Sequence, residues 1–154
     1  MDYWSLLEPY WGAISFEDAD SFLTAYAELP DRSRHLFATH WLYSEVCNGG
    51  FHQFFTNPAG IVAPEAVVGF QALNLLDLAE ISANAMNFFQ PSFPRDQILR
   101  IKLLESYAES ANEDVEDDWN PFNALDDQFY AGLALSTSSD DRFVIAANAY
   151  AGRQ

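Results

Sequence analysis

Residues 45–60 carry the most distinctive pattern of this 154-residue sequence and read EVCNGGFHQFFTNPAG. Phe51, Phe54 and Phe55 stand at the i, i+3, i+4 spacing that places side chains on one face of a helix. The segment therefore predicts a short helix with three buried rings, each contributing about 1.5–3 kcal/mol to stability. The Gly49-Gly50 pair predicts the end of the preceding helix, because glycine adopts the left-handed conformation of a C-cap without strain.

Polar residues of the same segment predict local hydrogen bonds. We expect Glu45 to bind the amides of the glycine turn, and Gln53 and Asn57 to cap or bridge neighbouring backbone groups. Residues 57–60, Asn-Pro-Ala-Gly, predict a turn after the aromatic helix. All these roles are architectural.

Helical periodicity continues on both sides of this motif, and long alternating runs of β-branched residues are absent from the sequence. Ser15 and Ser139 are the expected N-caps of the first and last helices. The sequence predicts a single all-α domain, residues 1–154, of six to eight helices. The predicted helices cover residues 16–29, 32–48, 51–55, 64–74, 77–89, 96–110, 122–130 and 140–150.

Apolar spacing also predicts which helix faces point inward. For the helix at 32–48 the expected buried face carries Leu36, Phe37, His40, Trp41, Ser44 and Cys47. For the helix at 96–110 it carries Ile98, Ile101, Leu104, Tyr107 and Ala108.

The composition is strongly acidic, with 23 Asp and Glu residues against 7 Lys and Arg, and a formal net charge of −16. Such a chain repels phosphate groups, which excludes direct binding of nucleic acid or of an anionic membrane surface. An apolar fraction of 49% still supplies a core. With one cysteine and no signal-peptide or membrane-spanning pattern, the sequence predicts a soluble cytoplasmic protein.

Histidine, cysteine and clustered carboxylates are the candidate catalytic or metal-binding groups. His40, Cys47 and His52 lack the tight spacing of zinc or iron sites, and no orienting group accompanies a Cys47–His52 pair. We expect no metal, no cofactor and no catalytic residue. An enzyme or ligand-binding domain centred on His40, Cys47 and His52 remains an alternative.

Alternating acids at Asp114, Glu116 and Asp118 invite a calcium interpretation. An EF-hand loop starting at Asp114 needs glycine at its sixth position and glutamate at its twelfth, where this chain has Trp119 and Leu125. The sequence therefore predicts that residues 109–118, with six acids and no base, form an exposed acidic connection.

The charge is distributed unevenly, because the interval between Lys102 and Arg142 contains no base. A compact chain of this length is about 38 Å across. The same length of duplex DNA carries about 22 charges, which is of the order of the net charge here. The acids expected to dock a basic partner are Glu17, Asp18, Asp20, Glu105, Glu109, Glu113, Asp114, Glu116, Asp117, Asp118, Asp126 and Asp127.

The motif of residues 45–60 resembles the signature of the bacterial DNA-mimic protein 19 family. The matching positions are Glu45, Asn48, Gly49, Gly50, Phe51, Gln53, Phe54, Phe55, Asn57 and Gly60. Residues 125–130, Leu-Asp-Asp-Gln-Phe-Tyr, resemble a second element, and the resemblance covers about residues 30–150.

This resemblance implies an all-α fold and a homodimer. It also implies an acidic protein that occupies the DNA-binding surface of a transcription factor. The signature itself is expected to be structural, so it assigns no docking residue. Together with the charge, we expect a non-catalytic interaction protein whose partner is a basic protein such as a DNA-binding regulator or nucleoid protein. An immunity protein that neutralises a basic nuclease toxin is the second possibility, since size and acidity fit it equally.

Overall fold

The computed structural model describes residues 1–110, 120–135 and 138–154, and all regular structure in these ranges is helical. This confirms the predicted all-α class. No helix within these ranges is long and apolar enough to cross a membrane. Short 3-10 helices cover Tyr3–Leu6, Glu8–Tyr10 and Pro58–Val62. The α-helices are α1 Ala19–Ala27, α2 Asp31–Thr56, α3 Ala63–Ala72, α4 Leu76–Met86, α5 Gln97–Ser110, α6 Asn123–Leu133 and α7 Arg142–Ala151.

Helix α2 forms the centre of the fold and contacts α3, α5, α6, α7 and the 3-10 helices Tyr3–Leu6 and Pro58–Val62. Phe51, Phe54 and Phe55 are all fully buried, which confirms the predicted aromatic stripe. Phe55 packs edge-on against Phe89, with ring centroids 5.0 Å apart, and Phe51 packs edge-on against Phe129 at 5.7 Å. These rings join the second half of α2 to α6 and to the segment that follows α4.

The glycine pair ends the first half of α2, as predicted. Gly49, with φ −159° and ψ 18°, and Gly50, with φ 77° and ψ −178°, are both non-helical, and the Gly50 conformation is essentially restricted to glycine. Residues 31–56 are therefore two helices that meet at a kink, and the second is the predicted aromatic helix. The kink therefore gives the two halves of α2 different directions and different buried faces.

The predicted inward face of α2 is partly wrong. Leu36 and Phe37 are buried as expected, but Ser44 and Cys47 are exposed. Leu42 and Val46 are buried as well. A helix covered on several sides has more than one inward stripe, so a single periodic pattern does not describe it.

The predicted inward face of α5 is also wrong at most positions. Leu104 is buried, whereas Ile98 is 64% exposed and Tyr107 is 37% exposed. The other residue of α5 that is buried is Arg100, with no exposed surface. The inward face of α5 therefore contains a charged residue that binds backbone groups, and this rotates the apolar positions outward.

Aspartates, not serines, cap the first and last α-helices. The carboxylates of Asp18 and Asp141 accept hydrogen bonds at 2.8 and 3.0 Å from the N–H groups three residues later. The predictions of Ser15 and Ser139 as caps were wrong. A carboxylate at this position accepts the free N–H and interacts favourably with the helix dipole.

Candidate functional site

The acids expected to dock a partner occupy separate helices where the structure describes them. Glu17, Asp18 and Asp20 are exposed around the start of α1, and Asp127 is exposed on α6. Glu105 and Glu109 lie about one turn apart on α5, and both are exposed. Outside the described residues lie Glu113, Asp114, Glu116, Asp117 and Asp118, so those positions, and the acidic connection they belong to, stay predictions.

The prediction that Asp126 docks a partner is wrong, because this residue is only 9% exposed and has a structural role. Its Oδ1 accepts a hydrogen bond at 2.8 Å from the N–H of Phe51, immediately after the kink of α2. Burial raises the pKa of this carboxyl, and the Phe51 N–H opposes that shift. Asp126 thus caps the aromatic half of α2 from a residue far along the chain. The prediction failed because sequence shows an acid beside an acid but not the free amide opposite it.

Glu45 organises the other polar residues of the motif. Its Oε2 accepts hydrogen bonds from Gln53 Nε2 at 3.0 Å and from Asn57 Nδ2 at 2.8 Å. The expectation that Glu45 binds the turn amides was wrong, since its two partners are side-chain amides. This cluster ties the first half of α2 to the end of the second half and holds the kink angle.

Arg100 is the main structural residue that the sequence reasoning missed. Its guanidinium donates to the carbonyls of Phe55 at 2.8 Å, Asn57 at 3.0 Å and Arg95 at 2.6 Å. A Cβ added to Gly60 would lie 2.5 Å from the Phe54 carbonyl oxygen and 3.1 Å from an Arg100 nitrogen. The motif glycine therefore makes room first for the Phe54 carbonyl and then for this arginine. One sequence signal could have indicated this role. Arg100 lies one turn before Leu104, on the same face of a helix with many apolar residues.

Basic side chains are largely engaged within the fold. Several form ion pairs, namely Arg34 with Asp31, Arg95 with Glu65 and Arg142 with Asp77. Others donate to backbone carbonyls, namely Arg32 to Ala151, Arg153 to Ala72 and the buried Arg100. Lys102 is the remaining base and is exposed. Every arginine thus has an intramolecular partner, while many acids face solvent.

The histidines and the cysteine do not assemble into a reactive group in the described part of the chain. His40 Nδ1 lies 3.0 Å from the Tyr3 hydroxyl, and its ring contacts Trp4 and Trp11. Cys47 has exposed surface. Burial of part of the residue, and to a smaller extent the nearby Asp141 carboxylate, raise the pKa of its thiol to about 11. That shift disfavours the thiolate that a nucleophile requires. No hydrogen bond joins His40 and Cys47 across the described ranges, and no group of three or more metal-ligating side chains occurs there.

Burial lowers the pKa of His40 from 6.5 to about 4, which gives the fold a specific acid sensitivity. The unfolded chain takes up this proton near pH 6.5, so the stability contributed by neutral His40 is present above that value and lost as pH falls toward 4. In His40→Gln, we expect the pH-dependent loss of unfolding free energy between pH 7 and pH 5 to be about 2 kcal/mol smaller than in wild type.

Urea unfolding of both proteins at the two pH values measures this difference, in which the titration of the many carboxylates cancels. Glutamine keeps an amide near the Tyr3 hydroxyl. His52→Gln, at an exposed position, is the matched control. Equal pH dependence in wild type and His40→Gln would show that His40 is not held neutral by burial.

A family model described as DMP19-like protein matches residues 27–148. Neither the curated proteins nor the solved structures contain a match to this chain. The matched range runs from the end of α1 to the last helix and includes the kinked α2, the buried Arg100 and Asp126.

Proposed function

The chain belongs to the DMP19-like protein family, and from this membership and its charge we propose that it is a non-catalytic acidic interaction protein. Its exposed carboxylates occupy the DNA-binding surface of a basic transcription factor or nucleoid protein in place of DNA. We further propose that it acts in the cytoplasm as a homodimer, without a cofactor or direct contact with nucleic acid.

This proposal rests on one observation: the arginine side chains are bound within the fold, whereas most acidic side chains are exposed. Each arginine is bound to a carboxylate or a carbonyl of its own chain, and Arg100 is withdrawn from the surface altogether. Most acids of the described ranges are therefore exposed and have no basic partner, in a chain of net charge −16. A surface of this kind attracts the basic groove-binding elements of DNA-binding proteins and speeds their association.

The exposed acids at the start of α1 and on α5 are carried by helices, which suits docking. Asp18 is fixed as the N-cap of α1, and its bond to the Ser21 N–H lowers its pKa, so it stays ionised. Glu105 and Glu109 project from one face of a helix anchored by Arg100. Carboxylates spaced along helices resemble phosphates in charge and in the bidentate acceptor geometry that arginine recognises. We propose that Glu17, Asp18, Asp20, Glu105 and Glu109 contact the partner, and we call these five acids together the acidic docking surface.

The test begins with affinity capture of basic proteins from a native lysate at about 50 mM salt, followed by elution toward about 500 mM. Because screening shortens the Debye length over this range, the partner should elute steeply with salt. Duplex DNA added to the purified complex should displace the chain if both occupy one surface.

Each outcome of the capture experiment has a defined meaning. A DNA-binding protein released by duplex DNA supports the proposal. A nuclease whose toxicity the chain suppresses would replace it with an immunity function. Binding that is insensitive to salt, or unaffected by excess duplex DNA, would refute the mimicry mechanism.

A further inference from the structure

A polar pocket of about 390 Å³ opens at the kink of α2. Its volume falls within the range of small-molecule sites. The lining residues are the last ones before Gly49 and one residue of the aromatic half of α2, namely Tyr43, Ser44, Glu45, Cys47, Asn48 and Gln53. The acidic docking surface lies outside this lining, so the proposed function leaves the pocket without a role.

The side-chain amides around this pocket are held in one orientation by Glu45. A carboxylate only accepts hydrogen bonds, so Gln53 at 3.0 Å and Asn57 at 2.8 Å both turn their amide nitrogens toward Oε2 of Glu45. The amide oxygen of Gln53 is therefore turned away from Glu45. A Cβ added to Gly49 would collide with this oxygen, so the glycine provides the space that the oxygen occupies.

Two acceptor atoms of the lining stay free. Among the described residues, no donor binds Oε1 of Glu45 or Oε1 of Gln53. Neither oxygen is sealed in the interior, since Trp41 Nε1 is the one side-chain polar atom of the described ranges that is both buried and unpartnered. The exposed side chains of Ser44 and Asn48 add further oxygens. The pocket therefore offers several acceptors around one carboxylate.

The electrostatics of the pocket favour a cation. Of the described residues that line it, Glu45 is the one that carries a charge, and most of the others precede Gly49 at the C-terminal end of a helix, where the dipole is negative. The hydroxyl of Tyr130 donates to the Val46 carbonyl at 2.7 Å, so a carbonyl at this helix end accepts a donor from outside the helix. Burial raises the pKa of the Cys47 thiol to about 11, which makes the thiol a neutral part of the wall.

We propose that this pocket binds a guanidinium group, contributed by an arginine side chain of the partner. Oε1 of Glu45 and Oε1 of Gln53 accept hydrogen bonds from it, together with the exposed oxygens at the rim. A planar guanidinium has five donors in a fixed fork, which matches several acceptors better than the three donors of a lysine ammonium. Tyr43 gives the lining an aromatic ring, fixed by stacking on Phe143 with ring centroids 4.3 Å apart, and guanidinium groups pack on such rings.

Only the source of the guanidinium rests on the proposed function. DNA-binding proteins carry arginines that contact phosphates and base edges, so a protein that occupies such a surface meets exposed guanidinium groups. The affinity of the pocket for guanidinium is a property of this chain alone and is tested without a partner.

The experiment is an NMR titration of the full chain with Nα-acetyl-arginine amide at about 150 mM salt, which limits the long-range attraction of cations. We expect saturable shifts centred on the backbone amides of Ser44, Cys47 and Asn48 and on the side-chain amide of Gln53. Nα-acetyl-citrulline amide has nearly the same shape without the charge and should bind at least about tenfold more weakly. Nα-acetyl-lysine amide should bind about threefold more weakly, since it lacks the planar fork.

Two variants test individual lining residues. Glu45→Gln keeps an acceptor for the amides of Gln53 and Asn57 but removes the charge, and it should raise the Kd of Nα-acetyl-arginine amide at least about fivefold. Asn48→Ala, at an exposed position, leaves the hydrogen bonds of Glu45 intact and should raise this Kd about threefold.

Asp140→Asn is the matched control, because it removes an equal charge from an exposed acid outside the lining, next to the Asp141 that binds the Tyr43 hydroxyl. It should change the Kd by less than about twofold. The proposal is overturned if Nα-acetyl-arginine amide gives no saturable shifts at the pocket, or if Asp140→Asn weakens binding as much as Glu45→Gln. A lysine ligand that binds as tightly as the arginine ligand would overturn the choice of guanidinium.

A measurement with the captured partner separates the pocket from the acidic docking surface. Asn48→Ala leaves the acids of that surface unchanged and should weaken partner binding about threefold. Unchanged partner binding, in a chain that binds Nα-acetyl-arginine amide, would show that the partner does not supply the arginine. If no basic protein is captured, the proposed function and this source of the guanidinium both fail, and the titration still decides whether the pocket binds guanidinium.

Discussion

Replacing Arg100 by methionine should lower the free energy of unfolding by about 3–5 kcal/mol, one of the largest single-residue effects in the chain. The guanidinium is completely buried and donates to backbone carbonyls at the end of α2 and before α5. Methionine fills much of the volume but has no donor. Several carbonyls then lose their partner in a buried environment, which costs about 1–3 kcal/mol for each one left unsatisfied.

Urea denaturation followed by circular dichroism measures this loss. Lys102→Met, two residues along the same helix at an exposed position, is the control and should change stability by less than about 0.5 kcal/mol. Arg100→Lys should recover part of the loss, since lysine keeps the charge but not the planar fork. Equal stability of Arg100→Met and Lys102→Met would contradict the role given to Arg100.

Gly50→Ala should destabilise the fold by about 3–5 kcal/mol for two separate reasons. The backbone at Gly50, with φ 77° and ψ −178°, is strongly strained for any residue with a Cβ. The added Cβ would also lie 2.5 Å from Asp126 Oδ2, the carboxylate that caps Phe51. Removing the collision with Asp126 would not remove the backbone strain at position 50, and the two effects are therefore separate.

The double variant Gly50→Ala/Asp126→Ala separates these causes. Removal of the carboxylate ends the collision but leaves the strained backbone and an uncapped Phe51 N–H, so the double variant should remain well below wild type in thermal unfolding. Gly12→Ala is the control, because nothing lies within 4 Å of the added Cβ. A Gly50→Ala protein as stable as Gly12→Ala would show that the kink does not require glycine.

Local periodicity predicts much of this fold because most helices bury one stripe. The spacing of Phe51, Phe54 and Phe55 indicated both a helix and its inward face, and both are confirmed. The glycine pair indicated a break at the right place. The sequence could not predict which residue binds the Phe51 N–H. Asp126 lies 75 residues from Phe51, and no local pattern indicates that contact.

The same non-local cause explains the errors on α5 and in the acid assignments. Arg100 faces inward because carbonyls from the end of α2 meet it there. Those carbonyls lack helical partners only because α2 ends beneath α5. Counting charges gave the acidity of the surface correctly. It could not separate Asp126, which is used inside, from Asp127 next to it, which is exposed.

The most direct test of the acidic docking surface compares two triple variants of equal net charge, using the captured DNA-binding partner. One is Glu17→Gln/Glu105→Gln/Glu109→Gln, on the surface itself. The other is Glu8→Gln/Glu80→Gln/Asp140→Asn, at exposed acids elsewhere. With up to about 1 kcal/mol for each exposed charge, we predict that the first weakens partner binding about tenfold or more, and the second less than about threefold. Equal weakening by both variants, or by neither, would contradict a defined acidic docking surface.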